Sequence, residues 1–105
     1  MSDDRPEVVV DEPANHRFVV EQAGGLAQLV YQRDGERLIL VHTEVPETDR
    51  HHGIAGLLVR AAVERAAREH LTLVPSCSYA RKWLEDHAEL ETSVKIEWTP
   101  PSRSA

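Results

Sequence analysis

The sequence predicts an α/β domain in which a mostly antiparallel mixed sheet carries one β-helix-β crossover and two main helices. Three observations support this fold class. Three segments of strand character follow one another over residues 16–45, and short turns separate them. An alanine-rich segment with helical periodicity then covers residues 53–70. A short apolar strand at residues 71–74 comes directly after it, which is the element order of a βαβ unit.

Size and composition narrow the class of protein. A chain of 105 residues predicts one domain, expected over residues 7–99, with flexible termini at 1–6 and 100–105. The formal net charge of −6 argues against nonspecific nucleic-acid binding and against an anionic membrane surface. The single cysteine, Cys77, cannot form an intramolecular disulfide, and no apolar run is long enough to span a bilayer. Since the N-terminus also lacks a signal-peptide pattern, we expect a cytoplasmic protein.

The first predicted elements are short. Residues 7–10 are apolar enough for an edge strand, and the Asp, Pro and Asn of residues 11–15 favour a turn. Residues 16–22 are the next predicted strand. Phe18 and Val20 lie two residues apart, so their apolar side chains would share one face of that strand.

Two glycine turns predict an antiparallel meander. Gly24-Gly25 separates the strand just described from a second one over residues 26–33, and Asp34-Gly35 separates that from a third over residues 36–45. Four consecutive apolar residues, 38–41, predict burial on both faces of the third strand. We therefore place it in the middle of the sheet.

Helical periodicity over residues 53–70 divides the segment into two faces. The small and apolar residues expected against the sheet are Ile54, Ala55, Leu58, Val59, Ala62 and Ala66. Arg60, Glu64 and Arg68 recur at i,i+4 spacing and predict a solvated face with charge pairs. A crossover through this helix would place the strand at 71–74 parallel to the central strand.

The last part of the chain predicts a second helix and a final strand. Residues 76–78 contain two serines that suit a helix N-terminus, and the helix is expected over residues 79–87. Trp83 and Leu84 are its candidate core residues. Apolar and charged residues alternate over 94–98, which is typical of a strand.

The loop and helix start at residues 50–55 form the candidate binding site. The first turn of a helix leaves backbone N–H groups unpaired and carries partial positive charge, which suits phosphate. Gly53 allows close approach to the backbone, and Ala55 keeps the turn thin. This arrangement favours a nucleotide-like cofactor, whereas the alternative is an exposed loop before a capped helix.

Motifs in this region resemble a known superfamily. Arg50, Gly53 and Ala55 fit the Q/R-x-x-G-x-G/A signature of the GNAT superfamily of acyl-CoA-dependent N-acyltransferases. A longer series is similar to the compact YjdJ-like subfamily of very small acetyltransferases, and the resemblance covers roughly residues 8–90. The series consists of HTEVP at 42–46, GIA at 53–55, PSCSY at 75–79 and HAE at 87–89.

The chain also departs from these relatives. His51 and His52 stand where such a loop often carries a second glycine or basic residue, which could weaken pyrophosphate binding. His-Ala-Glu-Leu at residues 87–90 replaces the subfamily's His-Pro-Glu-Tyr. The chain has no room for the two helices that larger members place between their first strands. The class of acceptor therefore does not carry over from those members.

The resemblance implies acetyl-CoA as the cofactor and a small-molecule or protein amine as the acceptor. It implies that amides of the loop and helix start hold the pyrophosphate, and that the end of the central strand offers main-chain groups to the pantetheine arm. The implied cofactor-binding residues are Thr43, Glu44, Val45, Arg50, His51, His52, Gly53, Ile54 and Ala55.

Three residues are candidates for catalysis. Cys77 precedes a helix start, so it is a candidate for a covalent nucleophile, a residue lining the region of the CoA thiol, or a packed apolar residue. Tyr79 resembles tyrosines that protonate the leaving thiolate, and its alternative is packing. His42 and Glu44 share one strand face, where either could relay a proton from the acceptor, although a structural role for His42 is also open.

Two other interpretations remain in view. A zinc site is one of them, with four candidate ligands: His42, Glu44, His51 and His52. Their spacing matches no known zinc-ligand motif, so no metal site is predicted. A rival function is an acyl-CoA-binding or protein-interaction module with little catalysis. The chain is expected to be a monomer or a homodimer, in which residues 94–98 would complete the partner's site.

Overall fold

The computed structural model describes residues 9–22, 25–46 and 53–98. Within these residues the chain forms six strands, two α-helices and two short 3-10 helices, Pro13–Asn15 and Ala88–Thr92. The main elements are β1 (Val10–Glu12), β2 (Arg17–Gln22), β3 (Gly25–Asp34), β4 (Arg37–Glu44), α1 (Ile54–Glu69), β5 (Thr72–Pro75), α2 (Ser78–Glu85) and β6 (Lys95–Ile96).

All six strands form one sheet in sequence order, from β1 at one edge to β6 at the other. The pairs from β1 to β4 are antiparallel, whereas β5 runs parallel to β4 and β6 runs parallel to β5. The predicted fold class is therefore confirmed, with β4 inside the sheet and α1 in the crossover to β5. Among the described residues, neither helix has the length and apolarity needed to cross a membrane.

Both helices lie on one face of the sheet. α1 contacts β2 to β5, α2 contacts β4 and β5, and the two helices contact each other. One core contains the buried side chains of both helices and of the strands, including Phe18, Val20, Ala27, Leu29, Tyr31, Leu38, Leu40, Ile54, Leu58, Val59, Ala62, Ala66, Leu73, Cys77, Ala80 and Leu84. The predicted apolar face of α1 is buried, with Ala55 half-buried, and Arg60, Glu64 and Arg68 are exposed as expected.

Of the edge strand predicted over residues 7–10, residues 7 and 8 lie outside the described part of the chain, and the observed strand begins at Val10. β1 covers Val10–Glu12, so Asp11 and Glu12 belong to a strand and not to a turn. Their side chains are held by partners elsewhere in the fold: Arg17 donates to Glu12 at 2.8 Å, and Tyr31 donates to Asp11 at 2.6 Å. These long-range contacts outweigh the turn preference of Asp.

The predicted burial of residues 38–41 on both faces is wrong. Leu38 and Leu40 are fully buried, but Ile39 is only half-buried and Val41 is 38% exposed. The physical reason is that the two described helices cover the face that carries Leu38 and Leu40. The final strand is also shorter than expected, because only Lys95–Ile96 pairs with β5.

A buried polar cluster ties α1 to the strands. Arg65 is 8% exposed, although sequence periodicity assigned it no role. Its guanidinium donates to the Tyr31 hydroxyl at 2.6 Å and to Asp11 at 3.0 Å. Its Nε lies 3.4 Å from Glu69 but makes no hydrogen bond within the described residues. The cluster links β1, β3 and α1 at a point distant in sequence from the candidate site.

Alkaline pH is expected to weaken the fold through Tyr31. Burial, followed by the hydrogen bond to Asp11, raises the pKa of Tyr31 from 10.0 to about 12. A raised pKa in the folded state means that this contribution to stability is complete below pH 10 and is lost as the pH rises through about 12. We expect a loss on the order of 2–3 kcal/mol across this interval.

Denaturant unfolding of the wild type and Tyr31→Phe between neutral pH and pH 12 tests this. The variant lacks the phenol, so its free energy of unfolding should decline less steeply above pH 10. Equal slopes in the two proteins would contradict the assignment.

Candidate functional site

The parallel pairing of β4 with β5 ends abruptly. The register runs from Arg37 opposite Thr72 to Leu40 opposite Pro75, whereas β4 itself continues to Glu44. At this point the N–H groups of Ser76 and Cys77 both donate to the Leu40 carbonyl, at 3.0 and 2.9 Å. The chain then turns into α2. Within the described residues no strand pairs with that side of β4 beyond Leu40, so the two strands part at their carboxyl ends.

A β-bulge in β4 coincides with this point. Tyr31 lies opposite Leu40 and Val30 lies opposite His42, which leaves Val41 as the extra residue. An extra residue bends a strand, increases its twist and often ends pairing on its other side. The bulge therefore explains both the exposure of Val41 and the separation of β4 from β5.

The bulge also decides which side chains face the helices. Thr43 lies opposite the buried Leu29, so it shares the face of the core, whereas His42 lies opposite Val30 on the other face. Strict alternation from Leu38 and Leu40 would have placed His42 on the core face. His42 and Glu44 do share one face, as the sequence predicts, but it is the face opposite the core.

Cys77 lies where β4 and β5 part. Its thiol is 3.2 Å from the Thr43 hydroxyl, the residue is 8% exposed, and it belongs to the core. It is also the N-cap residue of α2, with an extended backbone and no capping hydrogen bond from its side chain. The geometry thus brings together two of the predicted site residues, Thr43 and Cys77.

A row of polar side chains crosses the opposite face of the sheet and ends at His42. Arg17 donates to Glu12 at 2.8 Å and to Gln28 at 3.0 Å. Gln28 in turn donates to Glu44 at 2.9 Å, and the second carboxylate oxygen of Glu44 lies 3.8 Å from His42 Nε2. The carboxylate is thus fixed on one side by an amide and faces an imidazole on the other. Sequence reasoning missed Gln28 and Arg17, because only strand register reveals their alignment.

Tyr79 follows Cys77 in the first turn of α2 and is 40% exposed. Partial burial, and then the negative charge of a Cys77 thiolate, raise the pKa of Tyr79. The Tyr79 phenol therefore carries its proton at neutral pH, and the raised pKa makes it a weaker acid than an exposed tyrosine.

The first turn of α1 begins at the same end of the sheet. Gly53 adopts a left-handed conformation with φ of +73° directly before Ile54, a position at which glycine is not strained. The first N–H groups of a helix have no partner within it, and Ala55 is half-buried beside them. Arg50, His51 and His52, which the sequence assigns to this cradle, lie outside the described residues.

The two helices approach each other closely at Gly56. A Cβ atom placed on Gly56 would lie 2.6 Å from Nε1 of Trp83. The indole ring is held by His87, which stacks on it at 3.8 Å, and by the Arg60 guanidinium 5.4 Å from its centre. Trp83 is half-buried and also lines an open groove of about 530 Å³ along α2, together with Ser78, Tyr79, Lys82 and Asp86. The sequence identifies Trp83 as a core residue but not as a groove wall.

Gly56→Ala is expected to destabilise the protein by about 1 kcal/mol, because overpacking outweighs the gain in helix propensity. Trp83 cannot move aside freely, since Arg60 and His87 flank its ring. Denaturant unfolding followed by tryptophan fluorescence measures the loss. In a Trp83→Phe background the indole edge is absent, so the same substitution should become neutral or stabilising. If it destabilises both backgrounds equally, the contact with Trp83 is not the cause.

Comparisons with known proteins find chains that are similar in sequence and in fold. Protein NATD1 of Gallus gallus and of Homo sapiens are each 37% identical to this chain over 62 residues, which are 58% of the chain. The match spans little more than half of these curated relatives, 56% and 55% of their lengths. A GCN5-like protein of Staphylococcus aureus, solved by solution NMR, has the same fold with a TM-score of 0.67 at 21% identity. The structural match covers 92% of this chain and 96% of the Staphylococcus aureus chain.

The sequence profile of the GCN5-related N-acetyl-transferase family matches residues 17–93, well over half of the chain. This match spans the meander, the crossover helix, the point where β4 and β5 part, and α2. The resemblance to the GNAT superfamily is thereby confirmed, while membership of the YjdJ-like subfamily stays a prediction. The chain belongs to the GCN5-related N-acetyltransferase family.

Proposed function

We propose that this protein is an acetyl-CoA-dependent N-acetyltransferase that transfers the acetyl group to a primary amine. The observation that carries the proposal is the end of the β4–β5 ladder at Leu40 and Pro75, beyond which β4 runs on without a parallel neighbour among the described residues. An extended cofactor arm can pair with such an edge in the manner of an added strand. Membership of the family makes acetyl-CoA the natural occupant.

The residues around this edge fit the two ends of that cofactor. Main-chain groups of Thr43, Glu44 and Val45 would receive the amides of the pantetheine arm. The amides of Gly53, Ile54 and Ala55, with Arg50, His51 and His52, would hold the diphosphate at the positive end of α1. Leu57 N–H already bonds to the Gly53 carbonyl at 3.3 Å, which leaves the earlier amides of the turn for a ligand.

The side chains near the edge would serve a direct transfer. Acetyl-CoA supplies the acetyl group as a thioester. His42, oriented by Glu44, would take the proton that the acceptor ammonium must lose before its nitrogen attacks the thioester carbon. As the C–N bond forms and the C–S bond breaks, Tyr79 would give its proton to the leaving thiolate. The second proton, which the nitrogen loses as the amide forms, would return through solvent to the Tyr79 phenolate. Thr43 and Cys77 would line the space of the thioester, because their side chains meet at 3.2 Å.

Calorimetry with acetyl-CoA tests the first step, and a free-thiol assay across a broad panel of amines tests the second. We expect binding and acetyl-dependent thiol release. The absence of binding at millimolar acetyl-CoA would overturn the proposal. Mass spectrometry after rapid quench then distinguishes direct transfer, which leaves Cys77 unmodified, from a covalent thioester on that residue.

A binding module with little catalysis is the second candidate. It is favoured by the placement of both described helices on the core face, which leaves the face of His42 and Glu44 without a helical wall for the acceptor. Binding without turnover on any amine would support it. Further expectations are a reducing compartment such as the cytoplasm, which suits a free buried Cys77, and a monomer or homodimer, which light scattering distinguishes.

A further inference from the structure

Arg60 is a cation that no carboxylate neutralises among the described residues. It is exposed on α1, and its guanidinium lies 5.4 Å from the centre of the Trp83 ring. The sequence predicts a pair with Glu64 one turn later, but the described contacts of Arg60 are with the indole. A guanidinium stacked on an aromatic ring keeps its N–H groups at the rim, where they can meet a phosphate in two parallel hydrogen bonds.

The aromatic ring beneath Arg60 is held from several sides. His87 stacks on Trp83 with an interplanar angle of 14°, and its Nδ1 lies 2.7 Å from the Trp83 carbonyl. Gly56 admits the indole edge against α1. Arg60 therefore rests on a platform that the fold has already ordered, so little side-chain entropy remains to be lost on binding a ligand.

Trp83, the ring that Arg60 contacts, is also one wall of the groove that borders the candidate site. The groove along α2 is lined by Ser78 and Tyr79, next to Cys77, and further along by Lys82, Trp83 and Asp86. Arg60 lies six residues after Ile54, or about 9 Å further along the helix axis than the first turn of α1. The charged residues that line the groove, Lys82 and Asp86, pair with each other at 3.5 Å. Arg60 is thus next to one wall of the groove, through its contact with Trp83, and has no carboxylate partner among the described residues.

We propose that Arg60, supported by Trp83, binds the 3′-phosphate on the adenosine end of coenzyme A. This inference rests on the proposed function, because it takes coenzyme A as the ligand. The 3′-phosphate is separated from the diphosphate by one ribose, which agrees with a second cation site a short distance beyond the first turn of α1. The groove wall of Tyr79 and Trp83 offers apolar surface to the parts of the cofactor that carry no charge.

The test compares coenzyme A with 3′-dephospho-coenzyme A, which differ only in that phosphate. Calorimetry would measure both ligands on the wild type, Arg60→Ala, Arg60→Lys and Arg68→Ala. Arg68 is the matched control, since it is exposed on the same helix two turns later and has no ion pair among the described residues. We expect the wild type to favour coenzyme A by about 10-fold, the value of a charge-assisted contact.

The four proteins should differ in their preference for coenzyme A over 3′-dephospho-coenzyme A. Arg60→Ala should bind the two ligands equally, at the wild-type affinity for the dephospho form, and Arg68→Ala should behave as the wild type. Arg60→Lys should keep part of the preference, because it retains the charge but loses the planar fork. A wild type without preference, or an Arg60→Ala variant that weakens both ligands alike, would overturn this inference and leave the proposed function standing. Failure of both ligands to bind the wild type would overturn the two together.

Discussion

Ala55→Glu is expected to weaken binding of acetyl-CoA by about 100-fold, since juxtaposed like charges cost several kcal/mol. Ala55 is half-buried in the first turn of α1, where the proposed diphosphate site lies. A carboxylate there would occupy the same positive helix end that the diphosphate needs. Calorimetry with acetyl-CoA measures the loss directly.

Two observations separate this electrostatic effect from damage to the fold. A Glu in the first turn of a helix interacts favourably with its dipole, so the free energy of unfolding should not fall. Ala55→Gln introduces a side chain of similar size without charge, so it measures the steric part of the loss, and its affinity should fall less than that of Ala55→Glu. If both variants lose binding equally, steric exclusion and not charge is the cause. If neither loses it, the diphosphate does not bind at this turn.

Arg65→Met is expected to lower the free energy of unfolding by about 2 kcal/mol, because it removes the hydrogen bonds of a buried guanidinium to Tyr31 and to the half-buried carboxylate of Asp11. The guanidinium bonds to the hydroxyl of Tyr31 and to Asp11, and methionine can replace its apolar stem but neither hydrogen bond. Urea unfolding at neutral pH measures the change. The expected loss is a large part of the stability of a domain of this size.

Arg68→Met is the control for that measurement. It makes the same chemical change on an exposed face of the same helix, so its effect should stay within about 0.5 kcal/mol. Adding Asp11→Asn to Arg65→Met should recover part of the loss, since it removes the uncompensated carboxylate. Equal stability of Arg65→Met and the wild type would show that the buried cluster contributes nothing to the fold.

Local sequence patterns were sufficient for most of the elements. The turn at Asp34-Gly35 and the periodicity of residues 53–70 are short-range properties, because turn preference and helical amphipathicity depend on neighbours in sequence. The predicted parallel placement of β5 follows from the connection through α1. The predictions failed where contacts with residues distant in sequence determine the local structure. Asp11 was predicted in a turn, but its contacts with Tyr31 and Arg65 hold it in a strand.

The candidate site shows the same division. Motif reasoning singled out Thr43 and Cys77, and the fold brings their side chains into contact. It could not find Gln28, Gly56 or Arg60, because a single sequence does not show which side chains on separate strands or helices become neighbours. The roles of the assigned site residues stay predictions that the experiments above test.

By itself the sequence determined the order and type of the main elements and the residues that carry the family signature, since both depend on local spacing. Only the tertiary structure decided which face of β4 each side chain takes. One extra residue, Val41, reverses the alternation of side chains. The bulge places Thr43 against Cys77 and turns His42 away from the core. The sequence of β4 could not reveal it, because a bulge depends on how the strand pairs with its neighbour and not on the strand's own composition.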